Sequence, residues 1–265
     1  MYWITVILAL LPVLIVLFPV WKSLPFFAGM PATAWLQLDW APDNGDFGIG
    51  VALFGSLYIV ALALPLCILL GWLMSLQLAE NRNHWLAGVT VSVLEVWVSI
   101  PSVVVGVWAL SQLAPLVRAI EGSGYCVLTA ALGLTLLIFP TATLLFYRSY
   151  TAHQSRFQGL EKTFALNSLD RTLYFFKSQP ALLMSTISYC FCRLFGETLV
   201  VLMLAGNSVQ VTGSPFDSVR TLTATIALEM DYASGMHETA LFALASICLV
   251  VILLVLLPQF RSRHV

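Results

Sequence analysis

Six stretches of this chain, residues 3–21, 49–79, 85–114, 125–147, 181–205 and 239–257, are almost continuously apolar. A helix rises about 1.5 Å per residue and a bilayer core is about 30 Å thick, so roughly 20 such residues cross it. Hydrocarbon offers no water to an open backbone, which leaves helices as the natural way for these segments to satisfy their own amides and carbonyls. Composition points the same way. Hydrophobic residues make up 60% of the chain and charged residues 9%, with a mean hydropathy of +0.92, whereas a soluble domain carries about 25% charge. The expectation is an all-α, polytopic membrane protein with six transmembrane helices.

The first stretch lacks a basic start, contains Pro12 and Pro19, and shows no clear small-residue cleavage site before Lys22. It therefore reads as a retained helix and not a signal peptide. Six crossings put both termini on one side. Arg82, Arg148, Arg156, Lys162, Arg171, Lys177, Arg261 and Arg263 fall in one set of loops, and Lys22, Arg118 and Arg220 in the other, eight against three. Cytoplasmic loops hold the excess of Lys and Arg, so both termini are expected in the cytoplasm and the chain in the cytoplasmic (inner) membrane. The domain reading is an N-terminal helix and periplasmic loop over 1–47, a membrane domain of five helices over 48–258 with a loop at 148–179, and a cytoplasmic tail over 259–265.

The net charge of −1 and the lack of a basic tract give no sign of nucleic acid. Cys67, Cys126, Cys190, Cys192 and Cys248 lie in or beside apolar segments and read as small buried hydrophobes. His84, His153, His237 and His264 fall in loops or tails, so no metal or cofactor site is expected. Pro65, Pro101 and Pro140 interrupt apolar segments and are expected to kink them. Gly55, Gly71, Gly106 and Gly133 read first as points of close helix packing.

Against this apolar background Arg193, Glu197 and Thr198 stand in the middle of the fifth stretch. Charge at membrane depth is costly and usually functional. Counting helical rise, Glu95 lies roughly 15 Å into its span and Arg193 roughly 18 Å into its own. Arg193 and Glu197 are also four residues apart, on one face of a continuous helix. The expectation is that Glu197, Glu95 or both hold Arg193 toward a transport pathway or a subunit interface. Two roles stay open: direct contact with an anion, for which guanidinium geometry is suited, or a gating or assembly network that never touches substrate. Two glutamates and one arginine make a net negative cluster, which favours the network. An ion pair that only fixes helix packing is the structural alternative. Thr198 either bonds back to its own helix or lines the path. Gly206-Asn207 reads as a helix stop, and Arg220 and Glu229 as either solvated surface or part of a re-entrant segment.

The loop at 148–179 has helical patterning without membrane-spanning length. Phe157, Leu160 and Phe164 form a narrow apolar stripe. Asn167 suits a left-handed C-terminal position, Ser168 a cap, and Asp170 the first turn of a following helix. The resulting helix–turn–helix either lies on the body of the protein or docks a partner.

These residues resemble the permease subunits of bacterial ATP-binding-cassette importers, nearest to the PstC type of the phosphate-specific transport (Pst) permeases, over roughly 49–258. The loop helix resembles the family's EAA motif, with Glu161 at the acidic position, Lys162 and Thr163 at the two alanines, Asn167 at the glycine and Gln179-Pro180 at the Leu-Pro pair. Glu95 followed by Ile100-Pro101-Ser102-Val103-Val104 resembles the third-helix signature. The run from Arg193 through Gly196-Glu197-Thr198 to Ala205-Gly206-Asn207 is similar to the Arg-x-x-Gly-Glu-Thr stretch, and 219–230 to the segment that follows it.

The resemblance implies a type I importer permease fold with a cytoplasmic coupling helix. It implies separate ATPase subunits, a second permease subunit in a heterodimer, a periplasmic substrate-binding protein, and inorganic phosphate or a related oxyanion as cargo. Glu161, Phe164, Ala165, Asn167 and Asp170 are the positions it assigns to ATPase coupling. The sequence has no G-x-x-x-x-G-K-[ST] loop, so the chain itself is not expected to be an enzyme. Competing classes fit less well. A secondary transporter needs no exposed helix–turn–helix and usually shows two related halves. A membrane hydrolase would need H-E-x-x-H, G-x-S-x-G or a similar set. A purely structural subunit would not need Arg193 and Glu197.

Overall fold

The computed structural model describes the backbone of residues 2–82, 84–164, 177 and 179–262. Among the described residues its regular elements are helices, apart from one short antiparallel hairpin of two-residue strands. Helix α1 spans Tyr2–Gly29 and α2 Ala32–Trp35; β1 (Trp40–Ala41) and β2 (Asp46–Phe47) pair Trp40 with Phe47. Then come α3 (Gly50–Glu80), α4 (Trp85–Val98), α5 (Ser102–Arg118) and α6 (Val127–Phe164). The chain continues through α7 (Pro180–Phe195), α8 (Leu199–Leu204), α9 (Leu222–Glu229) and α10 (Met236–Ser262). The fold is an all-α, polytopic membrane architecture.

Among the described residues four helices, α1, α3, α6 and α10, are long and apolar enough to cross a membrane, and five if α4 and α5 count as one bent span. Two of the six expected spans are broken. Residues 85–114 do not form one helix: α4 and α5 meet at 97° across the break at 99–101. The residue before a proline is pushed out of the helical region, and here Pro101 becomes the N-cap of α5. Pro65 and Pro140 behave differently and stay inside the continuous helices α3 and α6. Residues 181–205 are likewise two helices, α7 and α8, separated at 196–198. The third difference concerns the loop at 148–179: α6 runs on to Phe164 without interruption, past the apolar segment that ends at Ala152, so Glu161 and Phe164 belong to the last turns of α6 and not to a separate helix. Ala165, Asn167 and Asp170 lie outside the described residues.

Helix α6 is the centre of the bundle. Most of its apolar stretch is buried, against α3, α4, α5, α7 and α8. Its first amides, Val127 and Leu128, donate to the Asp217 and Pro215 carbonyls, so a loop satisfies the donors that a helix start leaves open. Close approach depends on small residues, as expected. A Cβ on Gly71 would lie 2.7 Å from that of Ala142, and one on Gly55 would collide with the Arg220 carbonyl oxygen. Helix α1 sits at the edge, packed on α10 through the edge-to-face pair Phe18–Phe242, the Ser23–Ser246 hydroxyl contact at 3.1 Å and Lys22–Glu238 at 3.8 Å.

Candidate functional site

The break in the fifth apolar stretch brings Arg193 and Glu197 together. Helix α7 ends at Phe195, Gly196 donates its amide to the Cys192 carbonyl, and α8 starts at Leu199 with Thr198 as N-cap. The Thr198 side chain makes no capping hydrogen bond. Glu197 therefore leaves the helix, and its pairing with Arg193 does not come from a shared helical face. The turn itself returns the carboxylate to the guanidinium, Nη2 to Oε2 at 3.6 Å.

The two partners differ in exposure. Glu197 is 5% exposed and the Arg193 side chain 51%. Glu197 lines a narrow cleft with Ser56, Leu194, Phe195, Thr221 and Thr223, where α3, the break and the start of α9 converge. Its main-chain carbonyl accepts the Thr223 hydroxyl at 3.0 Å.

Glu95 is not part of this group. Its carboxylate accepts from Arg148 Nη2 at 2.8 Å, a half-exposed pair between α4 and α6. A similar depth does not make Glu95 and Arg193 partners: among the described residues Glu95 pairs with Arg148 and Arg193 with Glu197. What stands beside the break is thus one arginine and one glutamate, with no net charge.

A second buried charge lies at the far end of α9. Glu229 is 5% exposed and accepts three bonds: Arg220 Nη1 at 2.6 Å on Oε1, and Trp40 Nε1 and His237 Nε2, each at 2.9 Å, on Oε2. Arg220 Nε also donates to the Asn207 carbonyl at 2.9 Å. The His237 ring packs against Trp40, Phe47 and Tyr232. This cluster ties the β1–β2 hairpin, the loop after α8, α9 and α10 into one knot. The sequence carries no local sign of this cluster, because Trp40 lies 189 residues before the Glu229 it contacts and the members share no spacing pattern.

Gly206-Asn207 does end α8, as expected. Both residues have positive φ, 79° and 59°, and the Asn207 amide donates to the Leu202 carbonyl at 2.7 Å. From there Val219 returns alongside Gly206 and donates to the Ala205 carbonyl at 3.0 Å, which starts the approach to α9.

Comparison with known proteins gives this geometry its setting. A probable ABC transporter permease from Bacillus subtilis, YqgH, is 30% identical over 239 residues, covering 86% of this chain and 76% of the relative. The chain belongs to the PstC-like ABC transporter permeases. The phosphate transport permease PstC of Haemophilus influenzae is 22% identical over 261 residues, 89% of this chain and 81% of its own. That of Pasteurella multocida is 25% identical over 242 residues, 82% and 75% respectively. No protein-family model matches this permease.

Proposed function

We propose that this permease forms the membrane path of an ATP-driven importer for inorganic phosphate, with the broken span at 193–198 as its gate. The observation that supports this most is the half-exposed Arg193 beside the buried Glu197 at a helix break. A guanidinium presented to lipid at membrane depth is strongly disfavoured, so the exposed side of Arg193 faces either the pathway or the second permease subunit. Irregular backbone at that depth is tolerated where it lines a water-filled cavity or is buried in protein.

The neutral pair also removes the objection that a net negative cluster would repel an anion. Glu197 engages one guanidinium nitrogen at 3.6 Å, and the remaining donors of the fork are suited to phosphate oxygens. Arg193 contacts the anion in this reading, Glu197 holds it ready, and Thr198 lines the path. Glu95 acts apart from them, bracing α4 on α6 through Arg148. Phosphate as cargo is favoured by the PstC relatives named above.

The remaining partners follow from an ABC permease: ATPase subunits on separate chains, a second permease subunit, and a binding protein on the opposite face. The segment containing Glu161, Phe164, Ala165, Asn167 and Asp170 is the proposed ATPase contact, with both termini on the cytoplasmic side. Arg193→Gln is expected to abolish phosphate uptake in cells while the protein remains in the membrane at its normal level. Arg193→Lys should retain part of the uptake at weaker apparent affinity, since an ammonium keeps the charge but loses the fork. Normal uptake by Arg193→Gln refutes the gate.

A further inference from the structure

We infer that Thr223 is a positioning residue for the break in the fifth span: from α9, its hydroxyl holds the Glu197 backbone and so aims the carboxylate at Arg193. The inference rests on the gate reading above, and adds to it a residue on a different element.

The break creates a specific need. In an unbroken helix the Glu197 carbonyl would accept from the amide four residues on. Here α8 begins only at Leu199, and the Glu197 carbonyl accepts from Thr223 Oγ1 at 3.0 Å instead. A buried carbonyl without a partner is expensive. The carbonyl and the carboxylate belong to one residue, so fixing the first restricts where the second can point.

Helix α9 is built as a fixed platform for this contact. Thr221 caps it by accepting from the Ala224 amide at 3.3 Å, and Ser56 Oγ on α3 accepts from the Leu222 amide at 2.9 Å. The backbone at Arg220 is pressed against Gly55 with no room for a Cβ. The other end is tied by Glu229 to Arg220, Trp40 and His237. With both ends held, Thr223 approaches the break from a helix that has little freedom to follow it, which is what a positioning contact requires.

Two substitutions separate the hydroxyl from the shape of the side chain. Thr223→Val keeps the branched form and loses the donor, and Thr223→Ser keeps the donor. Two readouts separate positioning from transport. The first is phosphate uptake by the assembled transporter. Thr223→Val is expected to lower the maximal rate roughly tenfold, the scale of one lost hydrogen bond, with little change in half-saturating phosphate, and Thr223→Ser to stay within about twofold of the parent.

The second readout is independent of transport. Glu197→Cys is introduced alone and with each Thr223 variant, and the rate of thiol labelling at 197 is followed by peptide mass spectrometry, with an introduced cysteine at Ser123, in the exposed loop after α5, as control. Thr223→Val should change the rate at 197 several-fold and leave the control alone, and Thr223→Ser should restore the parent rate. An unchanged rate at 197 overturns the positioning role whatever uptake does. A changed rate with normal uptake in Thr223→Val leaves the positioning in place and overturns the gate reading beneath it.

Discussion

Glu197 and Glu229 are equally buried, yet their surroundings assign them different work. Glu229 is saturated by Arg220, Trp40 and His237, the mark of a structural anchor. Glu197 faces a single long pair with a half-exposed Arg193, which leaves the arginine able to change partner. Removing the Glu229 charge should therefore harm folding before it harms transport selectivity. Glu229→Gln leaves Arg220 without a counter-charge in a confined site, and the purified protein is expected to lose about 3–5 kcal/mol of stability. Trp40→Phe removes one donor to a carboxylate and should cost about 1.5–3 kcal/mol. Thermal unfolding in detergent checks both, with the Glu229 variant the less stable. At this scale the sequence was legible only for charges set in apolar runs. Arg193 and Glu197 announce themselves by context, whereas Trp40 and His237 become significant only when 189 residues of chain fold back on themselves.

At the scale of elements, the lengths of the apolar runs predicted helices correctly but not their continuity. Pro101 breaks its span and turns it by 97°, while Pro65 and Pro140 sit inside intact helices. The residue type is the same in all three, so proline by itself does not say which apolar run breaks. The break at 196–198 had a local signal in Gly196 and the β-branched Thr198, but an unbroken apolar run of adequate length masked it. The Arg193–Glu197 contact forms without a shared helical face, since Glu197 lies beyond the end of α7. Glycine was a better guide than proline: Gly55 marks where α3 admits the backbone of the segment leading into α9. Gly55→Ala should force α3 from Arg220, cost about 1–3 kcal/mol as an overpacking defect, and lower the unfolding temperature. An unfolding temperature equal to the parent's would show that this contact is looser than described.

The whole molecule is a bundle organised around α6, with the interrupted α7–α8 segment at its side and α9 bridging from that interruption to the Glu229 knot. Composition alone was sufficient for the membrane class, and the motif-bearing runs were sufficient for the family. What neither contained was the arrangement that isolates Arg193 and Glu197 as a neutral pair, because that depends on Arg148 of α6 engaging Glu95 instead. The proposed role of this pair is to gate ATP-driven phosphate entry. The test uses vesicles reconstituted with this permease, a second permease subunit and an ABC ATPase, with ATP on one face and the binding protein on the other. Phosphate, sulfate, molybdate and tungstate are supplied in turn. Phosphate accumulation that requires both ATP and the binding protein, is strongest among the four anions, and is absent with Arg193→Gln is the predicted result. Accumulation without ATP, preference for another oxyanion, or unimpaired transport by Arg193→Gln would contradict it.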